Sequence, residues 1–221
     1  MTNFERQREE LERWGIGCFD DVPKNVTDYL RNNISKEIPK QASLAGHLKD
    51  EYGYKNWPLY VEEYLMKCVS KRNFLLEYAK TIKALDIDVP FYLGDLWVNL
   101  QRKHEFNPIH THSGVWSFII PLQVPYKLED EDKVFPSQGN RKSCTSKLCF
   151  VVNNNIGQIN SIEVDMDQSY VDKLLIFPAK LNHLVYPFFT SDGIRITVSG
   201  NISLRASEPI TKDSEVKEIK T

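Results

Sequence analysis

The sequence predicts an α+β protein that is mainly β, with helices first and a sandwich or jelly-roll barrel after them. The hydrophobic period changes from 3.6 residues to 2 after Asp86, where helical spacing gives way to alternation. Several strand candidates follow, separated by turn signals. The last of them, residues 193–204, alternates apolar and polar residues without a break, as expected for a sheet with one dry face.

The composition excludes several classes of protein. The 221 residues fit one domain, and the net charge of -2 gives no basic field for generic nucleic-acid binding. No apolar run approaches the ~20 residues of a membrane span, and the polar N-terminus has no signal-peptide core. The four cysteines form no paired CxxC framework, which predicts reduced, mostly buried thiols and a cytoplasmic location: Cys18, Cys68, Cys144 and Cys149.

Helical spacing predicts three helices in the first third of the chain, over residues 3–14, 25–33 and about 58–85. The third carries apolar residues at separations of three, four and seven. They form one stripe: Val61, Leu65, Cys68, Leu75, Tyr78, Ile82 and Leu85. That stripe needs a partner surface, and core packing is the simplest interpretation.

Strands are predicted for the rest of the chain. Their ranges are 97–101, 115–124, 148–152, 161–166, 174–177 and 193–204, with a hairpin turn at 153–157. The polar segment 126–147 is interpreted as a solvated surface loop or lid. The predicted regions are an N-terminal helical region over 1–88, a β core over 89–205 and a charged, flexible tail over 206–221.

The last strand leaves two interpretations open. Its polar face either meets water or lines the interior of a barrel whose apolar face is covered by the N-terminal helices. The unpartnered stripe of the third helix favours the second interpretation. Arg195 is then a cation inside a cavity, and a buried guanidinium requires an anionic partner.

Three histidines suggest a metal site. His110 and His112 are two residues apart at the head of the apolar run that starts at Val115, so an extended chain points both at one spot. His183 follows the apolar run 174–178. Three neutral imidazoles on two strands are what a mononuclear transition-metal site needs. His104 is predicted to face solvent, and His47 to lie on a surface helix.

The order of these motifs resembles that of the 2-oxoglutarate/Fe(II)-dependent oxygenases. An HxH pair, a hairpin, Leu-Ile-Phe-Pro with a distal histidine, and Arg-x-Thr follow one another. Within these oxygenases, the chain resembles more closely the prolyl-hydroxylase-like group found in tailed phages and marine bacteria. The matching segments, 96–101, 107–121, 175–183 and 193–201, cover about half of the chain. The resemblance implies a double-stranded β-helix (jelly-roll) core with the N-terminal helices packed on its major sheet.

The resemblance also implies roles for individual residues. His110 matches the first iron ligand, His183 the distal ligand, and Arg195 the basic residue that binds the distal carboxylate of 2-oxoglutarate. Further cosubstrate or outer contacts are implied for Thr197, Asn99 and Gln101. The implied cofactors are Fe(II), 2-oxoglutarate and O2. The implied reaction hydroxylates an unidentified substrate, with a peptide or protein side chain as one candidate, and releases succinate and CO2.

One position departs from the family pattern, because His112 stands where the family has Asp or Glu. We expect a three-histidine iron site, in which His112 is a ligand, since imidazole suits Fe(II). The alternatives are a vacant acid position and a site whose metal is lost or different.

Two rival functions follow from the same residues. One is a cupin-type three-histidine metal dioxygenase that does not use 2-oxoglutarate, and the other is a non-catalytic jelly-roll binding module. Cupins usually carry a glutamate soon after the HxH pair, whereas residues 113–117 contain no carboxylate. A cupin also gives no reason for Arg195. The oligomeric state is not predicted by the sequence.

Overall fold

Helices come first along the chain, and antiparallel strands dominate after residue 90. The computed structural model describes residues 1–36, 38–40, 44–71, 91–135, 143–153 and 156–205. The helices are α1 (Asn3–Arg13), α2 (Lys24–Asn32), α3 (Leu59–Ser70) and the short α4 (Leu128–Glu131). The strands are β1 (Gly17–Asp21), β2 (Glu51–Gly53), β3 (Phe91–Gln101), β4 (Asn107–His110), β5 (Trp116–Gln123), β6 (Leu148–Asn153), β7 (Ile159–Val164), β8 (Lys173–Pro178), β9 (His183–Val185) and β10 (Arg195–Leu204).

The first helices begin where the sequence predicts. The Thr2 hydroxyl accepts a hydrogen bond from the Glu5 backbone N–H at 3.2 Å, and the Glu5 carboxylate accepts one from the Thr2 N–H at 2.7 Å. This reciprocal capping satisfies two N–H groups that have no partner inside the helix. The predicted helices over 3–14 and 25–33 are therefore confirmed as α1 and α2.

The third helix is shorter than predicted. α3 ends at Ser70, whose hydroxyl donates to the Lys67 carbonyl at 3.0 Å and so satisfies one of the terminal carbonyls. A single helix from 58 to 85 is therefore wrong, and the part of the prediction over 72–85 lies outside the described residues. The described part of the stripe, Val61, Leu65 and Cys68, is buried.

Two antiparallel sheets carry the strands. One has six strands in the order β1-β8-β5-β10-β3-β2, and the other has four in the order β4-β9-β6-β7. Strands that follow one another along the chain mostly change sheet, so β3, β5, β8 and β10 lie in the first while β4, β6 and β9 lie in the second. The prediction of a mainly β, antiparallel protein is confirmed. The predicted β6–β7 hairpin is present, with six residue pairs in register.

Packing separates the two faces of the large sheet. An apolar cluster joins α2 and α3 to β3, β5 and β10, and includes Leu30, Leu65, Val98, Phe118 and Val198. A second cluster joins Phe4 and Leu11 of α1 to the small sheet. The odd-numbered residues of β10 point away from the first cluster. None of the helices in the described ranges combines the length and apolarity needed to cross a bilayer.

The segment 126–147 is only in part the solvated loop that its polar composition suggests, since most of residues 127–135 are exposed but its two ends are buried. Residues 136–142 lie outside the described part, but Tyr126, Thr145 and Lys147 are buried. Lys147 is buried because its ammonium pairs with Glu163 at 3.2 Å and Asp165 at 3.0 Å. Such pairing satisfies a charge that burial would otherwise destabilise.

Glu131 in α4 is fully buried because backbone donors satisfy its carboxylate. The Phe189 N–H donates to both oxygens, at 3.0 and 3.1 Å, and the Thr190 N–H donates to Oε1 at 2.8 Å. The Thr190 hydroxyl adds a further bond at 2.5 Å. Glu131 therefore ties the segment before β6 to the loop before β10.

We expect Glu131→Ala to lower the free energy of unfolding by about 3 kcal/mol or more, because it leaves several buried donors without an acceptor. Urea denaturation measures the change. Glu129→Ala is the matched control, since Glu129 is exposed two residues away on the same helix. Equal stability of the two variants would contradict the anchoring role of Glu131.

Candidate metal centre

Two neighbouring strands and one loop bring the three histidines together. His110 ends β4, His183 begins β9, and the two residues are register partners in the small sheet. His112 lies in the loop between β4 and β5, and its N–H donates to the Ala179 carbonyl at 2.8 Å. The HxH pair thus belongs to the end of β4, and its placement at the head of the β5 run is wrong. Residues 113–115 separate it from β5 and allow the chain to change sheet.

The side chains of these histidines converge. One potential ligand atom from each of His110, His112 and His183 lies within 4.8 Å of the others. The Nε2 atoms of His112 and His183 are 3.1 Å apart. The ring centroids of His110 and His183 are 4.2 Å apart. The structure therefore brings the three imidazoles together, as the sequence predicts.

Backbone carbonyls orient two of these rings. The Nδ1–H of His110 donates to the Pro108 carbonyl at 2.7 Å, and the Nδ1–H of His183 donates to the Leu181 carbonyl at 2.9 Å. A carbonyl can only accept, so each neutral ring carries its proton on Nδ1 and keeps its Nε2 lone pair. This is the tautomer and outer contact typical of histidines that bind metals.

Burial keeps the three rings neutral. It lowers the pKa of His112 to about 3, with the other two histidines and Lys180 adding to the shift. Burial also lowers the pKa of His183 to about 4, and nearby His110 adds to that shift. The pKa of His110 is lowered by burial as well, against the opposing bond to Pro108.

A transition-metal ion fits this donor set. Three neutral imidazoles with inward lone pairs suit Fe(II), Zn(II) or Cu(II) rather than Mg(II) or Ca(II), which prefer oxygen. Without an ion, two Nε2 atoms at 3.1 Å would share one proton or place two lone pairs face to face. Among the described residues, no carboxylate joins this cluster.

The three histidines line a cavity of about 200 Å³. Every residue predicted to bind a cofactor lines it together with the three histidines: Asn99, Gln101, Arg195 and Thr197. These four follow from the strand register, since Arg195 pairs with Gln101 and Thr197 with Asn99 across β10 and β3. Paired residues of adjacent strands share one face of the sheet. The predicted inward polar face of β10 is therefore present at Arg195, Thr197 and Ser199.

Neutral groups surround the buried guanidinium of Arg195. Its Nη1 donates to the Tyr126 hydroxyl at 2.8 Å and to the Ser146 carbonyl at 2.6 Å. Its Nε donates to Gln101 Oε1 at 3.1 Å, and its Nη2 to the same oxygen. A longer bond of 3.3 Å reaches the Tyr186 carbonyl. No acidic side chain of the described ranges pairs with Arg195, so its positive charge remains for a ligand.

Two of the surrounding residues were missed by sequence reasoning. Tyr126 and Ser146 lie at the ends of the segment interpreted as a loop, and nothing in their local pattern marks them. Burial raises the pKa of Tyr126, against the opposing effect of Arg195, so its hydroxyl keeps its proton. It donates that proton to the Met166 carbonyl at 2.8 Å while it accepts from Arg195.

Glu51 lines the cavity and is a further residue that the sequence did not reveal. It is 1% exposed, and its Oε2 atom has no hydrogen-bond partner. Burial raises the pKa of Glu51 to about 7, and the negative charge of Glu105 adds to the rise. His47 and His104 lie on the surface as predicted. The helix predicted for His47 is wrong, because His47 pairs as an extended bridge with Phe106.

The raised pKa of Glu51 makes stability depend on pH. Between about pH 4.5 and 7 the folded protein holds a proton that the unfolded chain releases, so the free energy of unfolding falls as the pH rises. We expect Glu51→Gln to remove this loss and to be more stable than the wild type at pH 8 by up to about 3 kcal/mol. The advantage should shrink at pH 4.5. Urea denaturation at both pH values measures the difference in unfolding free energy between Glu51→Gln and the wild type, and Glu129→Gln is the control. A difference that does not change with pH would contradict the raised pKa of Glu51.

One family of known proteins matches the region that holds these residues. Residues 95–201 match the family described as "Putative 2OG-Fe(II) oxygenase", and this region is just under half of the chain. It contains the three histidines and the predicted cosubstrate contacts, whereas Glu51 lies before it. No curated protein sequence matches the chain. This match over residues 95–201 supports the prediction of a 2-oxoglutarate/Fe(II)-dependent oxygenase.

Three solved structures are similar in shape. A Pseudomonas putida prolyl-4-hydroxylase is 12% identical with a TM-score of 0.49, over 92% of this chain and 100% of that one. A Burkholderia pseudomallei oxidoreductase of the 2OG-Fe(II) oxygenase family is 9% identical with a TM-score of 0.46, over 90% and 89%. A Trichoplax adhaerens prolyl hydroxylase in complex with a hypoxia inducible factor peptide is 11% identical with a TM-score of 0.47, over 91% and 90%.

Proposed function

We propose that this chain, a 2-oxoglutarate/Fe(II)-dependent oxygenase by the pattern in residues 95–201, hydroxylates its substrate at an iron ion held by His110, His112 and His183. The observation that carries the proposal is the convergence of three neutral imidazoles in a cavity that also contains a buried guanidinium. A ligand set of three histidines places His112 at the position where the family has an acid.

Each protein group has a distinct part in this reaction. When bound, Fe(II) with 2-oxoglutarate supplies activation of O2, coupled to decarboxylation of the cosubstrate to succinate and CO2. The carbonyls of Pro108 and Leu181 hold two ligand rings in the orientation that leaves Nε2 free. The buried walls of the cavity limit access of water and strengthen the electrostatic contacts inside.

Arg195 anchors the distal carboxylate of 2-oxoglutarate in this proposal. Its N–H groups are bonded to neutral acceptors, so a carboxylate would replace Gln101 Oε1 or the longer contact with the Tyr186 carbonyl. A charge-assisted bond is about twice as strong as a neutral one, which favours the replacement. Thr197, on the same face of β10, adds a hydroxyl donor, and Asn99 lies beside it on β3.

Finer features belong to the same proposal. The distribution of β3, β5, β8 and β10 in one sheet and β4, β6, β7 and β9 in the other supports a double-stranded β-helix. The apolar cluster shared by α2, α3 and the large sheet supports helices packed on that sheet. We propose that the chain groups with the prolyl-hydroxylase-like proteins of phages and marine bacteria, and that its substrate is a peptide or protein. We also propose a cytoplasmic location and the predicted region boundaries 1–88, 89–205 and 206–221.

Formation of succinate tests the proposed reaction. We expect the purified protein, supplied with Fe(II), ascorbate, 2-oxoglutarate and O2, to form succinate slowly without a substrate and faster with one. Omission of iron or of 2-oxoglutarate should abolish it. Oxygen consumption without 2-oxoglutarate would instead indicate the cupin-type dioxygenase, and neither signal would indicate the non-catalytic module.

A further inference from the structure

The cavity contains a buried carboxyl group that the proposed reaction does not use. Glu51 lies on β2, outside the region matched by the oxygenase family, yet its side chain lines the same cavity as the three histidines. It is 1% exposed, and its Oε2 atom accepts no hydrogen bond. A buried carboxylate oxygen without a donor destabilises a protein, so its presence calls for a partner that arrives with a ligand.

Two amide oxygens near Glu51 also lack a hydrogen-bond partner. Asn99 Oδ1 and Asn107 Oδ1 are buried and have no hydrogen-bond partner, and both residues line the cavity. Asn99 is the register partner of Glu51 across β3 and β2, so the two side chains leave the sheet on the same face. Asn107 begins β4 in the facing sheet. Three buried oxygens that accept no hydrogen bond therefore border the same cavity.

Gly46 lets the Glu51 carboxylate and the Asn107 amide approach the same space. A Cβ atom at this position would lie 2.5 Å from Glu51 Oε1 and 3.1 Å from Asn107 Oδ1, which is too close for a side chain. Glycine thus leaves room for the carboxylate and the amide to face the same part of the cavity. Gly46 itself is a lining residue.

No protein charge compensates Glu51 within the described part of the chain. Glu105, which is also negative, is the one charge that acts appreciably on it. Arg195 is engaged elsewhere, by Gln101, Tyr126 and Ser146. β2 and β10 flank β3, so their backbones lie about 10 Å apart. The cavity therefore presents a positive group at Arg195 and a negative group at Glu51 as two separate attachment points.

We propose that Glu51, Asn99 and Asn107 form a subsite for a cationic, N–H-donating nitrogen of the substrate, namely a primary ammonium or a guanidinium group. An ammonium brings three donors and a guanidinium five, which matches three unsatisfied acceptors, one of them charged. That this cationic ligand is the substrate rests on the proposed function. Arg195 then selects the anionic cosubstrate, and Glu51 orients the cationic substrate towards the metal.

Binding of small amines tests the subsite without any turnover. The probes are n-butylammonium and n-butylguanidinium, and n-butanol is the neutral match. Each is titrated into the full chain and its binding is followed by ligand-observed NMR. The titration is done first without metal and then with Fe(II) and 2-oxoglutarate under anaerobic conditions. We expect one of the two cations to bind at least about tenfold more tightly than butanol. The cation that binds more tightly indicates whether the substrate carries an ammonium or a guanidinium group.

Glu51→Gln is the decisive variant, because it removes the charge and keeps the size. It should lose the preference for the cation by about tenfold, leave butanol binding unchanged and melt no lower than the wild type. Glu129→Gln, which removes an exposed charge on α4, should keep the preference. The inference is overturned if cation and butanol do not differ in the wild type, or if Glu51→Gln retains the preference. A protein that prefers the cation without metal but binds no 2-oxoglutarate would refute the proposed function alone.

Discussion

Replacement of His183 by alanine should abolish metal binding. His183 begins β9, opposite His110, and its Nε2 atom is 3.1 Å from that of His112. The variant keeps two imidazoles, which form an incomplete set for an ion that needs at least three protein ligands. We expect the iron affinity to fall by more than the 10- to 100-fold that loss of an outer contact typically costs. Succinate formation should fall with it.

Iron content after dialysis, measured by plasma emission, checks this result. His104→Ala is the matched control, because His104 is exposed and lies outside the cluster. The cavity left by the smaller side chain also destabilises the fold, so circular dichroism at the assay temperature must show that the variant is folded. A folded His183→Ala protein with wild-type iron content would remove His183 from the site.

The second large effect concerns the cosubstrate. Arg195→Ala should keep iron but bind 2-oxoglutarate far more weakly, because it removes the one cation that faces this cavity among the described lining residues. Truncation of one partner of a buried charge pair typically costs about 2–5 kcal/mol, or roughly thirty- to several-thousandfold in affinity. The binding of 2-oxoglutarate to the anaerobic Fe(II) protein measures the change.

Arg195→Lys separates charge from geometry. Lysine keeps the positive charge but cannot form the bidentate contact, so we expect it to restore only part of the affinity. Arg205→Ala is the control, since Arg205 lies just after the same strand and is exposed. Equal 2-oxoglutarate affinity in Arg195→Ala and the wild type would show that the cosubstrate binds elsewhere or not at all.

The alternation of polar and apolar residues along the strands made much of the lining of this cavity predictable. Because side chains of a strand alternate faces, the order Arg195, Thr197, Ser199 on β10 is enough to predict one polar face. Asn99 and Gln101 follow by the same argument on β3. The histidines could be grouped because residues two apart in an extended chain share a face, and because His183 follows a second apolar run.

Other parts of the site depend on contacts that no local pattern encodes. β2 has three residues, too few to show a period, and Glu51 reaches the cavity through pairing with Asn99, which is distant in the chain. Glu131 stands in an acidic run that resembles a solvated loop, and donors from the distant residues 189–190 make its burial favourable. The end of α3 at Ser70 was also missed, because the apolar spacing continues beyond it.

Three imidazoles that bind one metal ion, beside a cation that binds 2-oxoglutarate, are the centre of the proposed function. An anaerobic titration of the protein with Fe(II), followed by 2-oxoglutarate, tests this in the visible spectrum. We predict that a single iron ion binds per chain, and that a charge-transfer band appears only after 2-oxoglutarate is added, in the wild type but not in His183→Ala. Tight iron binding with no new band at any 2-oxoglutarate concentration would contradict the account.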